Sequence, residues 1–235
     1  MKVSVVLPTW NEAGNIVRLV EEIASHIPAE WEREILVVDD NSPDGTHRIA
    51  KERFADDPGV RAILRTTDRG FAKSIRHGIE VATGDYVIVM DTDFTHDPIE
   101  IPRMLHVAAM YDIVSGSRFC AGGNMQDTRH YLASLAYNWF IRLILRTQVQ
   151  DNLGGYWVMK RASLMTLPFD RIFYGYGEYF FRLLHFAQQR GFTIVEIPTL
   201  YRARTWGASK SNFFKMLFTY SRAAFAVRSG EQRRA

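Results

Sequence analysis

An α/β fold with a mostly parallel central sheet flanked by helices is predicted by three features of this sequence. Short apolar runs alternate with helical patterns through roughly the first half of the chain. The runs are apolar throughout, as expected of strands buried on both faces, and several of them end in a cluster of polar side chains. The chain has 235 residues, enough for one large domain with a substantial core.

Residues 3–7 form the first apolar run, and Pro8-Thr9-Trp10-Asn11-Glu12 turns the chain into a helical pattern through Ile16, Leu19, Val20 and Ile23. Residues 35–38 form the second strand, ending in Asp39-Asp40-Asn41-Ser42-Pro43-Asp44-Gly45. Ser42 there suits an N-cap, with Pro43 at the first helical position. A third strand at 60–64 is followed by the turn Asp68-Arg69-Gly70 and a helix to about residue 82. Thr83-Gly84-Asp85 then leads into a fourth strand at 86–90.

The second half is less regular. A short strand at 113–115 opens through Gly116-Ser117-Arg118 into the glycine-containing loop 121–124. Residues 132–145 are strongly apolar, with Trp139, Phe140 and basic punctuation at Arg142 and Arg146. Residues 154–159 and 193–197 read as strands, 178–189 as a helix, and 213–227 as an aromatic, basic helix carrying Lys215 and Arg222. No repeat, low-complexity tract or linker divides the chain, so a single domain over 1–235 is expected.

Composition narrows the function. A net charge of +3 is too small a bias to argue for nucleic acid, but it suits anionic ligands. The single cysteine, Cys120, precludes an internal disulfide and fits a reducing compartment. The apolar N-terminus is too short for a signal peptide, and no run approaches the roughly 18 apolar residues of a membrane span. A cytoplasmic protein, soluble or peripheral on the cytoplasmic membrane face, is therefore expected. No Gly-x-Gly-x-x-Gly follows the first strand and no Gly-Lys-Ser/Thr loop occurs, which argues against dinucleotide oxidoreductases and P-loop enzymes.

The polar clusters Thr9/Asn11/Glu12, Asp39/Asp40, Asp68/Arg69 and Asp91/Asp93 fall along one sheet edge if the strands are parallel, which is where such sheets bind ligands. Asp91-Thr92-Asp93 is the most informative of them. Carboxylates spaced i, i+2 on a strand share a face. Two hard oxygen ligands suit Mg²⁺ or Mn²⁺, which commonly arrive with phosphates.

Several segments in chain order carry a family resemblance: Val5-Val6-Leu7-Pro8-Thr9-Trp10-Asn11-Glu12, Val37-Val38-Asp39-Asp40-Asn41-Ser42-Pro43-Asp44-Gly45-Thr46, and Gly84-Asp85 with Met90-Asp91-Thr92-Asp93 and His96-Asp97-Pro98. Gly116-Ser117-Arg118-Phe119 with Gly122-Gly123, and Arg204 with Gly207-Ala208-Ser209-Lys210-Ser211, continue the series. Together they resemble family 2 glycosyltransferases of the GT-A fold, a Rossmann-like nucleotide-diphospho-sugar transferase fold, and among these the polyprenol-phosphate (dolichol-phosphate) mannosyltransferases.

The resemblance implies a nucleotide-sugar-binding half at 1–115 and an acceptor-binding half at 116–235. Pro8, Trp10, Glu12, Val38 and Asp39 match positions that hold the nucleoside, with the base read by backbone around Asp39 and Asp68. Asp91 and Asp93 match the ligands of a divalent metal, Mg²⁺ or Mn²⁺, on the donor diphosphate. Ser117 and Arg118 match an acceptor-phosphate site, while Arg204 and Lys210 match basic residues over the diphosphate. Asp93, Arg118 and Arg204 would then bear most directly on transfer, and guanidinium suits phosphate geometry.

Two departures matter. Thr95 stands where the family often has a metal-site Gln. Arg129 lies one position out of register with Ser134, with His130 in the expected slot, so either meets the acceptor phosphate.

The expected reaction is inverting transfer of a hexose, mannose from GDP-mannose, to a polyprenyl phosphate. A phosphate acceptor, already anionic, needs no base, whereas a hydroxyl acceptor does. Glu178 is either such a base or an acid favoured by a helix N-terminus. A UDP-sugar donor or a hydroxyl acceptor remains the alternative, and a non-catalytic nucleotide-sugar-binding subunit a further one. The apolar segments at 132–145 and 213–227 either contact the membrane, cover the core, or meet a second copy or a membrane-protein partner.

Overall fold

The computed structural model describes residues 1–202 and 213–230. Its elements in chain order are β1 (Lys2–Thr9), α1 (Ile16–His26), β2 (Glu32–Asp39), α2 (Thr46–Arg53), β3 (Val60–Leu64), α3 (Phe71–Val81) and β4 (Tyr86–Val89). A 3₁₀ turn at Pro98–Glu100 leads into α4 (Ile101–Ala108), then β5 (Ile113–Ser117), β6 (Asn124–Met125) and α5 (Thr128–Leu145). The chain continues through β7 (Trp157–Lys160), α6 (Arg161–Leu164), α7 (Phe169–Ile172), α8 (Tyr179–Gln189), β8 (Ile194–Pro198), β9 (Leu200–Tyr201) and α9 (Phe213–Ser229).

Seven strands form one sheet in the order β3-β2-β1-β4-β7-β5-β8, and β6 pairs with β9 in a separate two-stranded sheet. β7 alone runs against its neighbours β4 and β5; the other pairings are parallel. The α/β fold with a mostly parallel sheet is therefore as the sequence predicts. The carboxyl ends of β1 to β5 and the amino end of β7 share one edge.

Side-chain alternation splits the core in two. Val3, Val5 and Leu7 of β1 pack with Ile16, Leu19 and Ile23 of α1 and with Ile101 and Met104 of α4. Val6, from the other face of the same strand, packs with Ile75 and Ile79 of α3 and with Phe180 and Leu183 of α8. Gly78 lets α3 lie close on the sheet, because a Cβ there would come within 2.4 Å of Val6 Cγ1.

Three local expectations are corrected. First, α2 starts at Thr46, not at Pro43. The Asp44 carboxylate accepts the Thr46 amide and hydroxyl, and Gly45 takes the left-handed N-cap position at φ 82°. Ser42 is occupied elsewhere: its hydroxyl donates to Asp39 and accepts the Asn11 amide, tying the ends of β1 and β2 together. Second, β4 stops at Val89, so Asp91 and Asp93 lie in the turn that follows and strand pleating does not set their common face. Third, the strand read at 154–159 is confined to Trp157–Lys160.

Candidate active site

The residues expected at the donor come from the ends of β1, β2 and β3. Pro8 and Val38 are buried in the strands themselves. Asp39 is fully buried: Oδ1 accepts the hydroxyls of Thr9 (3.0 Å) and Ser42 (2.5 Å), and Oδ2 accepts the Ser42 amide (2.8 Å). Asp40 is paired with Arg65 and accepts the Gly70 amide at 2.6 Å. These two acids thus join three strand ends at this edge of the sheet. Glu12 is buried beside Asn15, whose amide donates to its carboxylate at 2.9 Å. Trp10 is exposed, with the Arg69 guanidinium 5.7 Å from its ring centroid. Asp68 is exposed, takes a positive φ of 49° and pairs with Lys73, whose hydrogen bond holds its carboxyl below the usual range.

The Asp91-Thr92-Asp93 turn follows β4, the strand beside β1, at the same edge of the sheet. Asp91 keeps 38% of its side chain exposed, while Asp93 is buried. Asp93 Oδ1 accepts both the amide (3.1 Å) and the hydroxyl (2.6 Å) of Thr95, so Thr95 holds the carboxylate in place. Phe94, between them, adopts φ 63°, which turns the chain sharply. His96 is buried beneath the turn, and its Nε2 lies 3.9 Å from Asp91 Oδ2. Burial pushes the imidazole down to about 4, so the ring is neutral at pH 7.

The residues expected at the acceptor begin at the end of β5. The Ser117 hydroxyl accepts the amides of Phe119 (3.2 Å) and Cys120 (3.1 Å), shaping the loop. Arg118 is buried and held in a fork by the fully buried Asp151, with Nε–Oδ2 at 2.8 Å and Nη2–Oδ1 at 2.7 Å. Burial alone would lower the guanidinium's pKa, but the Asp151 carboxylate outweighs it and keeps the group charged. Nε and Nη2 face Asp151, which leaves Nη1 as the remaining donor edge. Glu196 in turn accepts the amides of Gln150 and Asp151, fixing the Asp151 loop to β8.

His130 is exposed near the start of α5, its Nδ1 2.7 Å from Asp127 Oδ2, and Ser134 follows one turn later. The side chain of Arg129, and Arg204 and Lys210 entirely, lie outside the described residues. Glu178 is buried at the N-cap of α8. Its Oε2 accepts the Tyr176 amide at 2.9 Å, and its Oε1 lies 3.5 Å from Nη2 of the equally buried Arg182. Both readings of Glu178 therefore have to include a cationic partner one helical turn away.

Sequence reasoning missed Asp151 and Arg182, which hold Arg118 and Glu178, and Glu196, which fixes the Asp151 loop. Arg182 follows Glu178 at the i, i+4 spacing of a helical ion pair and could have been found, whereas Arg118 and Asp151 are 33 positions apart and meet only in the fold. His96 lay inside a matched segment without a role, and Tyr201 carried no signal at all.

Paired acids and a buried arginine thus gather at the carboxyl edge of a mostly parallel sheet, the edge at which such sheets bind ligands. The chain belongs to glycosyl transferase family 2, whose model matches residues 4–167, and it is a glycosyltransferase. It is 33% identical over 220 residues to an undecaprenyl-phosphate mannosyltransferase of Micrococcus luteus, covering 89% of this chain and 87% of that protein. It is 30% identical over 238 residues to a dolichol-phosphate mannosyltransferase of Pyrococcus furiosus, covering 98% of this chain and 65% of that longer protein. Among solved structures it is similar to glucosyl-3-phosphoglycerate synthase from Mycobacterium tuberculosis in complex with Mn²⁺, UDP and glucosyl-3-phosphoglycerate. There the TM-score is 0.73 at 18% identity, over 99% of this chain and 81% of that one, which establishes the GT-A fold.

Proposed function

We propose that the chain transfers mannose from GDP-mannose to a polyprenyl phosphate, with inversion at the sugar and with a divalent metal, Mg²⁺ or Mn²⁺, on the donor diphosphate. The two relatives named as polyprenyl-phosphate mannosyltransferases support the reaction. The observation in this chain that carries the choice of acceptor is Glu178. Its carboxylate is buried, bonded to the Tyr176 amide and paired with Arg182, so it is poorly placed to take a proton from a hydroxyl. A phosphomonoester asks for no such base.

The donor set at the turn fits the proposed metal. Mg²⁺ and Mn²⁺ favour oxygen ligands, and Mg²⁺ is typically held by one or two protein carboxylates with phosphate and water completing the shell. Asp91 and Asp93 supply two such groups, and among the described residues no set of three acids, histidines or cysteines encloses a metal without a ligand's help. When bound, the metal would stabilise the charge that grows on the leaving diphosphate. Asp93, pinned by Thr95, presents its charge in a fixed place. Ser117 shapes the loop that carries Arg118, and Arg118 offers Nη1 to the acceptor phosphate from one side. His130 and Ser134 near the start of α5, with Arg129, would meet the phosphate from the other. Arg204 and Lys210 are assigned to the diphosphate. On this reading residues 1–115 bind the donor and 116–235 the acceptor.

A lipid-borne acceptor also accounts for α5 and α9. Leu132, Leu135, Trp139 and Leu143 recur on one face of α5 and are exposed, as are Phe218 and Phe225 of α9, with Arg142 and Arg222 also exposed on these helices. No described helix is long and apolar enough to cross a membrane, so the contact would be interfacial.

The test is a transfer assay with purified chain, Mn²⁺ and a short polyprenyl phosphate, offering GDP-mannose, UDP-glucose and UDP-N-acetylglucosamine in parallel. Organic-soluble labelled product from GDP-mannose alone is expected. Product only from a UDP-sugar would overturn the donor, and metal-dependent donor hydrolysis with no lipid product would overturn the acceptor.

A further inference from the structure

Beneath the Asp91-Thr92-Asp93 turn lies a buried stack formed by His96, Tyr156, Tyr201 and the Gly154 carbonyl. β4 has ended at Val89, so no sheet ladder holds the Asp91 amide; that amide donates to His96 Nδ1 at 2.8 Å. A ring nitrogen that accepts carries no proton, so the neutral ring's proton is on Nε2. Nε2 faces Tyr201 Oη at 2.6 Å and Gly154 O at 3.1 Å. Tyr201 Oη itself donates to Gly154 O at 2.5 Å, which leaves an oxygen lone pair to accept from Nε2–H. The imidazole also stacks on Tyr156, with centroids 4.9 Å apart and planes 12° from parallel. Orientation, tautomer and position of the ring are all fixed.

Tyr201 faces both ways. Its hydroxyl meets His96, and its ring lies 4.7 Å from the guanidinium carbon of Arg118, the residue gripped by Asp151. A continuous set of contacts thus runs from the backbone of one proposed metal ligand to the proposed acceptor-phosphate arginine, although the two belong to different parts of the sequence.

We infer that His96 and Tyr201 are positioning residues for the transfer reaction: His96 sets the Asp91 turn through its Nδ1 bond, and Tyr201 ties that histidine to Arg118. The inference rests on Asp91 and Asp93 as metal ligands. Groups that orient ligands from behind typically change metal affinity by about 10–100-fold when removed. The two ring nitrogens do separate jobs, and two amide replacements separate them. His96→Asn keeps an acceptor where Nδ1 stands and loses the reach to Tyr201. His96→Gln keeps a donor near Nε2 and loses the acceptor for the Asp91 amide.

The experiment is titration of the purified full chain with Mn²⁺, following the free-ion signal by electron paramagnetic resonance, with thermal melting alongside. His96→Gln is expected to weaken Mn²⁺ binding about thirtyfold, and His96→Asn, which keeps the acceptor for the Asp91 amide and loses the bond to Tyr201, about fivefold. Wild-type affinity in His96→Gln, or equal weakening in both variants, would overturn the inference and leave the ring a packing role. Tyr201→Phe keeps the ring over Arg118 and removes only the hydroxyl. It is expected to weaken Mn²⁺ binding about fivefold, as the loss of one neutral hydrogen bond would, and to lower kcat with the acceptor KM unchanged. Unchanged Mn²⁺ binding there overturns the inference even if neither histidine variant folds. Asp91→Asn is the control: wild-type Mn²⁺ binding in it would remove the metal-ligand reading itself, and would do so whatever the histidine variants gave.

Discussion

Asp93 accepts the Thr95 amide and hydroxyl through Oδ1, and an asparagine carbonyl can accept the same two bonds. Asp93→Asn should therefore keep the turn while removing its charge. Transfer is expected to fall by about a hundredfold or more, with the melting temperature unchanged within about 2 °C. Full activity with the metal still required would remove Asp93 from the site. Glu178 makes a contrasting case, because its charge is matched by a buried cation, Arg182. Glu178→Gln leaves Arg182 unpaired in a place where burial already lowers its pKa, so stability should fall by about 3 kcal/mol, or roughly 5–10 °C. Transfer per folded molecule to a polyprenyl phosphate should change less than about threefold. An intact melting temperature with abolished transfer would instead mark Glu178 as a base. At this scale the sequence was partly legible. Asp91, Asp93 and Arg118 stand just past the ends of apolar strands, where side-chain type and position suggest their chemistry. Asp151 and Tyr201 act by contact with residues 33 and 105 positions away, which no local pattern encodes, whereas Arg182 stands at the readable i, i+4 spacing from Glu178.

The strands were the most legible elements, because burial on both faces leaves an uninterrupted apolar run that turn residues delimit. β3 falls at 60–64 as read, and β1, β2 and β4 differ from their predicted spans only at the ends. Direction was less legible, since β7 satisfies the same apolar pattern whether parallel or antiparallel. The start of α2 was misread because Ser42 and Asp44 are both good caps, and only the fold assigns Ser42 to Asp39. The sheet is also fastened at its opposite edge. Glu34 of β2 is buried and accepts Ser4 Oγ (2.6 Å), the Thr83 amide (2.8 Å) and hydroxyl (3.1 Å), and Arg61 Nη1 (3.0 Å). Burial raises its pKa, but these hydrogen bonds together outweigh that and leave it below the ordinary 4.5. A carboxyl depressed on folding stabilises the protein above its unfolded pKa and ceases to as pH falls through the folded value. Glu34→Gln should therefore cost about 1–3 kcal/mol at pH 7 by urea denaturation, and the gap to wild type should narrow below about pH 4.5. A gap independent of pH would show that shape, not charge, holds this junction.

For the whole molecule, the question is what the apolar face of α5 and α9 meets. The two helices pack on each other and on α8 through Ile141, Leu145, Phe181, Tyr220 and Ala224, and Tyr137 Oη donates to Leu217 O at 3.0 Å. Their cores are thus accounted for, yet Trp139 remains 66% exposed and Phe218 72%. Aromatic and leucine side chains beside exposed arginines suit the boundary of an anionic bilayer, where each basic residue adds about 1 kcal/mol. A second copy of the chain would bury the same face but would gain nothing from those charges. The two cases separate in a vesicle sedimentation experiment with phosphatidylglycerol and phosphatidylcholine vesicles. Binding is expected only to the anionic vesicles and should weaken as salt rises from 50 to 500 mM, over which the screening length falls from roughly 14 to 4 Å. Burying one large apolar side chain is worth about 1.5–3 kcal/mol, so Trp139→Glu should reduce partitioning about tenfold or more. In the same variant, transfer to a water-soluble short-chain polyprenyl phosphate should persist if Trp139 serves only in docking. Salt-independent self-association abolished by Trp139→Glu, with no vesicle binding in wild type, would assign the face to a dimer and detach it from the lipid acceptor.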